Sequence, residues 1–219
     1  MPETTAYLYV LDTMADWEPG FLISELNSGR YFARPGTRIP VRTVGLTPDP
    51  VTTMGGLRLT PDLTLDALHP GDAAVLILPG GDTWLDPVHD PVLAKAAEFL
   101  DSGVPVAAIC GATMALANAG MLDERRHTSN HLGALQAACH GYSGAENFTG
   151  EAAECDGDLI TASGMAPIEF ARAVLDRIGV LAPDTLDAWY RLYTLREESA
   201  YLDLMKSLPQ PVGAAGHSG

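Results

Sequence analysis

The sequence predicts an α/β fold, a mostly parallel sheet with helices on both faces. Three observations carry this. Short apolar runs alternate along the chain with stretches of helical periodicity. Several runs, such as Ala73 to Leu78 and Val104 to Cys110, are apolar throughout rather than at every second position. A strand covered on both faces reads that way. The same two runs end at Pro79-Gly80-Gly81 and at Cys110-Gly111, and sheets of this kind place ligands at the carboxyl ends of their strands.

Taken in order, Ala6 to Leu11 is the first strand. A helix follows from Glu18 to Leu26 and stops at Asn27-Ser28-Gly29. Val41 to Gly45 and Leu57 to Thr60 are short strands around a Gly55-Gly56 turn, and Ala73 to Leu78 is a buried strand. Pro91 to Leu100 is helical, with Leu93, Ala96, Ala97 and Leu100 on one face. Val104 to Cys110 is a strand, and the helix from Gly111 to Ala119 is closed by Gly120. Leu132 to Cys139 reads as a helix, Glu151 to Asp158 as a short acidic strand and Leu159 to Ala162 as a strand. Pro167 opens a helix where proline is tolerated, with Ile168, Ala171, Leu175 and Ile178 as its apolar face. Asp184 is expected to cap a last helix carrying Trp189, Tyr190 and Tyr193, which pack or support a dimer.

At 219 residues and 47% hydrophobic the chain can bury one sizeable core. One domain is expected over residues 1–208, followed by a Pro/Gly/Ala/Ser-rich tail over residues 209–219. The balance of 13 basic against 28 acidic residues gives −15. No stripe of Lys and Arg interrupts it, which argues against nucleic acid and against an anionic membrane surface. Three cysteines make no disulfide framework. Free thiols, and a start without a signal-like apolar core, point to the cytoplasm. No apolar run is long enough to span a bilayer.

The chemistry centres on Cys110. A buried strand, a sharp turn and a helix starting at Gly111 reproduce the nucleophile elbow with cysteine in place of serine. The helix start is expected to favour the thiolate. The amides of Gly80, Gly81 and Gly111 are candidates to hold a developing oxyanion; alternatively, Gly80-Gly81 serves only a tight turn. Cys139-His140-Gly141 has the wrong surroundings for an elbow, with helix before it and loop after it. Cys155 is expected to pack. His127, His131, Cys139 and His140 lack the spacing of a zinc module. No metal and no cofactor are therefore expected.

Ala-Ile-Cys-Gly-Ala-Thr at the elbow, Leu-Pro-Gly-Gly upstream, and Leu-Ile-Thr-Ala-Ser-Gly followed by Pro-Ile-Glu-Phe-Ala resemble the PfpI/ThiJ family over residues 6 to 180. That family lies in the class I glutamine amidotransferase-like superfamily and includes the Parkinsonism-associated redox protein. The resemblance implies a flavodoxin-like three-layer sandwich, commonly a homodimer, and a carboxyl partner for the cysteine just after the first strand. Glu18 matches that position, with Asp16 as fallback; its alternative is to complement a helix dipole. Protease-like members carry histidine directly after the nucleophile, whereas this chain has Gly111. A histidine is instead sought among residues 126–131. Asn130 aligns with the family's histidine, flanked by His127 and His131, and His127 is preferred. The functions implied are a cysteine-dependent enzyme acting on a small electrophilic or amide-type substrate (amidase, glyoxalase or deglycase, or isocyanide hydratase) or a redox-sensing stress protein with little turnover.

Overall fold

The computed structural model describes residues 4–209. All but the first residue of the expected tail lies outside them, as do residues 1–3. The strands are β1 (Thr5–Tyr9), β2 (Val41–Gly45), β3 (Val51–Thr52), β4 (Arg58–Leu59), β5 (Leu63–Thr64), β6 (Ala73–Leu78), β7 (Val106–Ile109), β8 (Ala153–Asp156) and β9 (Leu159–Ala162). The helices are α1 (Gly20–Ser28), α2 (Asp90–Asp101), α3 (Gly111–Asn118), α4 (Leu132–Ala138), α5 (Pro167–Ile178), α6 (Pro183–Leu195) and α7 (Glu198–Ser207).

A seven-stranded sheet runs in the order β5-β2-β1-β6-β7-β9-β8. Its neighbours are parallel except β8, which pairs antiparallel with β9. The parallel run β2-β1-β6-β7-β9 has the 2-1-3-4-5 order of a flavodoxin-like sheet, as expected. β3 and β4 form a separate antiparallel hairpin. Every residue of β7 and β9 is buried, so the apolar runs follow from cover on both faces. α1 packs on α5 and α5 on α6, while α2 and α3 lie against β7. The order reverses at β1, between β2 and β6. Sheets of this order take their ligands outside the carboxyl ends of the strands at such a switch point, where β1, β6 and β7 end.

Several expectations are corrected. The buried stripe of α2 is Val92, Ala96 and Phe99, with Leu93 and Leu100 only half-buried beside it. Asp184 does not cap α6: Ala182 holds the cap position, and Asp184 lies in the first turn, where its charge suits the dipole. Cys155 is exposed on the edge strand β8 rather than packed. β5 and α7 carried no strong period and were not anticipated. α7 buries only Ala200 and Leu204, against α6.

Candidate functional site

Cys110 sits between the end of β7 and the start of α3 with φ 59° and ψ −122°. An L-residue rarely adopts this backbone, which costs on the order of 1–3 kcal/mol and persists only where its surroundings enforce it. They do. The Cys110 amide donates to the Ala162 carbonyl of β9 (3.0 Å), and the Cys110 carbonyl accepts from the Thr113 amide (3.1 Å) and the Thr113 hydroxyl (2.6 Å). Thr113 Oγ1 in turn lies 2.7 Å from Ser129 Oγ. Strand, helix and the segment before α4 thus hold the turn together, and the sulfur stands half-buried at its apex.

Glu18 reaches this sulfur from the loop after β1. It precedes α1 rather than starting it and is fully buried, so the helix-dipole alternative does not describe it. Its Oε2 accepts from the Gly80 amide at 2.5 Å. Its Oε1 has no nitrogen or oxygen donor and is left facing the Cys110 side chain. Two glycines make the approach possible. A Cβ on Gly164 would lie 2.8 Å from Cys110 Sγ and 2.9 Å from Glu18 Oε1. One on Gly80 would lie 2.8 Å from Cys110 Cβ and 2.5 Å from Glu18 Oε2. Neither glycine has a positive φ; close approach, not backbone freedom, is what requires them.

Burial pushes the Glu18 carboxyl up to about 6, against the opposing pull of the Gly80 amide and of Cys110. Burial also pushes the Cys110 thiol up, and an ionised Glu18 adds to this; hydrogen bonds from Asn130 and Gly111 pull it back down. The helix start alone therefore does not produce a thiolate here. Thiol and carboxyl are thus both pushed towards their protonated forms by burial.

The expected oxyanion donors divide. The Gly80 amide is committed to Glu18. Among the described residues the Gly81 amide has no acceptor, and the Gly111 amide favours only the sulfur beside it. The two glycines are in close contact: a Cβ on Gly111 would lie 2.6 Å from the Gly81 carbonyl oxygen and 3.3 Å from its nitrogen. Thr13, itself at φ 65°, accepts the next amide of the loop, that of Asp82, at 2.8 Å.

His127 is not beside the sulfur. It is buried, with Nδ1 2.7 Å from the Arg125 carbonyl and Nε2 2.8 Å from the Tyr142 hydroxyl. Its ring packs edge-on against Tyr142 and Phe148. Its backbone pairs with residues 147–149, and packing takes its ring away from solvent. The His131 ring folds back over Gly133. Asn130, between them, supplies the contact instead: its Nδ2 is 3.2 Å from Cys110 Sγ. Asp16 is also elsewhere, accepting from the Gly55 amide at 2.6 Å. Cys139 is buried and donates to the Met114 carbonyl (3.3 Å).

The residues not singled out for roles are Asn130, Gly164 and Trp17. The Trp17 indole donates to the Gly164 carbonyl at 3.3 Å. Trp17 is half-exposed and lines an open basin of about 540 Å³ with Asp16, Met54, Gly55 and Leu57. The Ser-Gly of the β9 motif marked Gly164 in the sequence but did not say what it approaches. Among the described residues no three His, Cys, Asp or Glu side chains cluster as metal ligands, and no helix is long and apolar enough to cross a membrane.

The DJ-1/PfpI family model matches residues 4–177. A Bacillus subtilis protein named "Uncharacterized protease YoaZ" is 45% identical over 208 residues, covering 95% of this chain and 99% of that protein. A thiJ/pfpI family protein from Bacillus anthracis superposes with a TM-score of 0.91 at 46% identity, covering 94% of this chain and 98% of that one. The DJ-1 superfamily protein Atu0886 from Agrobacterium tumefaciens gives 0.76 at 32% identity, over 88% and 98%. With elbow, glycine loops and sheet order all in agreement, the chain belongs to the DJ-1/PfpI family.

Proposed function

We propose that the protein is a cysteine-dependent enzyme acting on a small electrophilic or amide-type substrate through Cys110, with Glu18 as its acid/base partner. The observation that supports this most directly is a fully buried carboxyl held against a cysteine whose backbone is strained to present it. In the proposed step Glu18, ionised above about pH 6, takes the thiol proton as sulfur attacks the carbonyl carbon. A carbon–sulfur bond forms and the carbonyl π pair moves onto oxygen, where the Gly81 and Gly111 amides meet it. Glu18 then returns the same proton to that oxygen, giving a hemithioacetal from an aldehyde or ketone, or to the leaving group of an amide-type substrate.

Some Bacillus subtilis relatives are named as proteases. Peptide hydrolysis fits this site less well: among the described residues the side chains that contact the sulfur are Glu18 and Asn130, and neither is an imidazole.

The test is turnover of a panel of small α-dicarbonyls, amides and isocyanides. Wild type is expected to turn over at least one class, with kcat/KM rising through about pH 6 and lost in Cys110→Ser. Undiminished turnover in Cys110→Ser sinks the reading. A second reading, a redox sensor, is favoured by the half-buried thiol beside a carboxyl able to donate to a sulfinate oxygen. Selective sulfinylation of Cys110 by mild peroxide, without turnover of any panel member, would select it.

A further inference from the structure

We propose that Asn130 is a third member of the reacting group: its locked side-chain amide holds the charge that develops on Cys110 sulfur. The inference rests on the reading of Cys110 as nucleophile and adds to it a residue that takes the place of an imidazole.

The argument starts from the amide's orientation. Asn130 Oδ1 faces the Gly164 backbone amide at 2.8 Å and the Ser163 hydroxyl at 3.4 Å. A backbone N–H can only donate, so an oxygen must stand there. The NH2 group is then turned to the sulfur, 3.2 Å away. A thiolate has no proton to offer and accepts what the amide donates. Flipping the amide would set NH2 against N–H at Gly164 and carbonyl oxygen against sulfur, losing both contacts at once.

The lock is itself tied down. The Ser163 amide donates to the Ala152 carbonyl (3.1 Å), and the Gly164 carbonyl accepts the Trp17 indole. The loop after β9 therefore presents Gly164 to both partners of the sulfur, with the Glu18 carboxyl and the Asn130 amide reaching it together.

The titratable groups around the sulfur are few. Glu18 faces it directly. The His131 ring lies over Gly133, His127 is bonded to Tyr142 and the Arg125 carbonyl, and Asp16 is bonded to Gly55. Asn130 thus gives the thiolate a neutral donor that does not titrate. The proton inventory of the site is left to the Glu18–Cys110 pair.

The discriminating variant is Asn130→Asp. It keeps an oxygen for the Gly164 amide, so the loop stays held, but replaces the donor at sulfur with a negative charge. The readout is the ultraviolet thiolate titration of the full chain in a Cys155→Ser background, with Cys110→Ser subtracted. The thiol midpoint is expected to rise by about one pH unit or more, and alkylation by iodoacetamide at neutral pH to slow about tenfold. An unchanged midpoint overturns the proposal. Should Asn130→Asp fail to fold, Asn130→Leu serves: a smaller rise is expected, and no rise is equally fatal. The titration needs no substrate. Absence of turnover would therefore strike the proposed function, whereas a flat titration would strike Asn130 alone.

Discussion

At the scale of single residues, Glu18 shows how burial creates a proton carrier. A carboxyl with no exposure and one backbone amide for company keeps its proton up to about pH 6. The consequence for stability has a definite sign. Because burial raises the folded-state value above the ordinary 4.5, the group's contribution to stability is fully present below about pH 4.5 and is lost as pH rises through about 6. A shift of this size corresponds to about 2 kcal/mol. Urea unfolding of wild type against Glu18→Gln, followed from about pH 4 to about pH 8, is therefore expected to shift in favour of the variant as pH rises to about 6 and to level off above it. A difference that stays flat with pH would show that the carboxyl does not titrate as its burial dictates. His127 makes the opposite point. Its sequence neighbourhood suited a catalytic histidine, but two hydrogen bonds and two aromatic edges hold it as a structural one.

At the scale of elements, the decisive feature is the β7–α3 junction. A parallel strand delivers the chain to the sheet's carboxyl edge, and α3 must start at once, so one residue takes the strained conformation between them. Glycine adopts such a backbone without penalty, whereas alanine keeps the strain. Cys110→Gly is therefore expected to unfold at a higher temperature than Cys110→Ala, by about 1 kcal/mol at the midpoint. That reverses the usual ranking, in which glycine costs about 0.5–1 kcal/mol relative to alanine. Equal midpoints, or alanine ahead, would mean that the junction stores no strain. The junction also explains the elbow's legibility: strand, cysteine, glycine and small-residue helix are contiguous. The loop after β9 is different. Gly164 lies far along the chain from Cys110, and only the pairing of β7 with β9 brings them together.

At the scale of the whole molecule, the net charge of −15 spreads over a surface with few compensating cations. The described ion pairs each have at least one partly exposed member, and such pairs contribute little, typically up to about 1 kcal/mol. Self-repulsion among the acids opposes the compact state and is screened by salt. The melting temperature is expected to rise by a few degrees between low and moderate potassium chloride. A fall on adding salt would show that attractive pairs dominate. One pair stands apart because its acid is buried: Glu25 of α1 accepts from the half-exposed Arg30 Nε (2.9 Å) and from the Trp189 indole of α6 (3.0 Å). This polar tie joins α1 to α6 and accounts for part of the aromatic set of the late helix. Phe21 and Tyr193 pack around the same indole.

The sequence by itself determined the fold class and pointed to Cys110 and Glu18 as a candidate pair, the glutamate through the family resemblance. Each is written in contiguous residues: apolar runs that report two-sided burial, an elbow that reports a turn, and a glutamate that follows the first strand. Tertiary structure decided which neighbours complete the site. It chose Asn130 over the histidines on either side, committed the Gly80 amide to Glu18 and left the Gly111 amide beside the sulfur. The physical reason is that hydrogen bonds of a few ångströms depend on loop paths and strand register. Residues distant in sequence meet only once the sheet has formed, and no local period records which of them will face the sulfur.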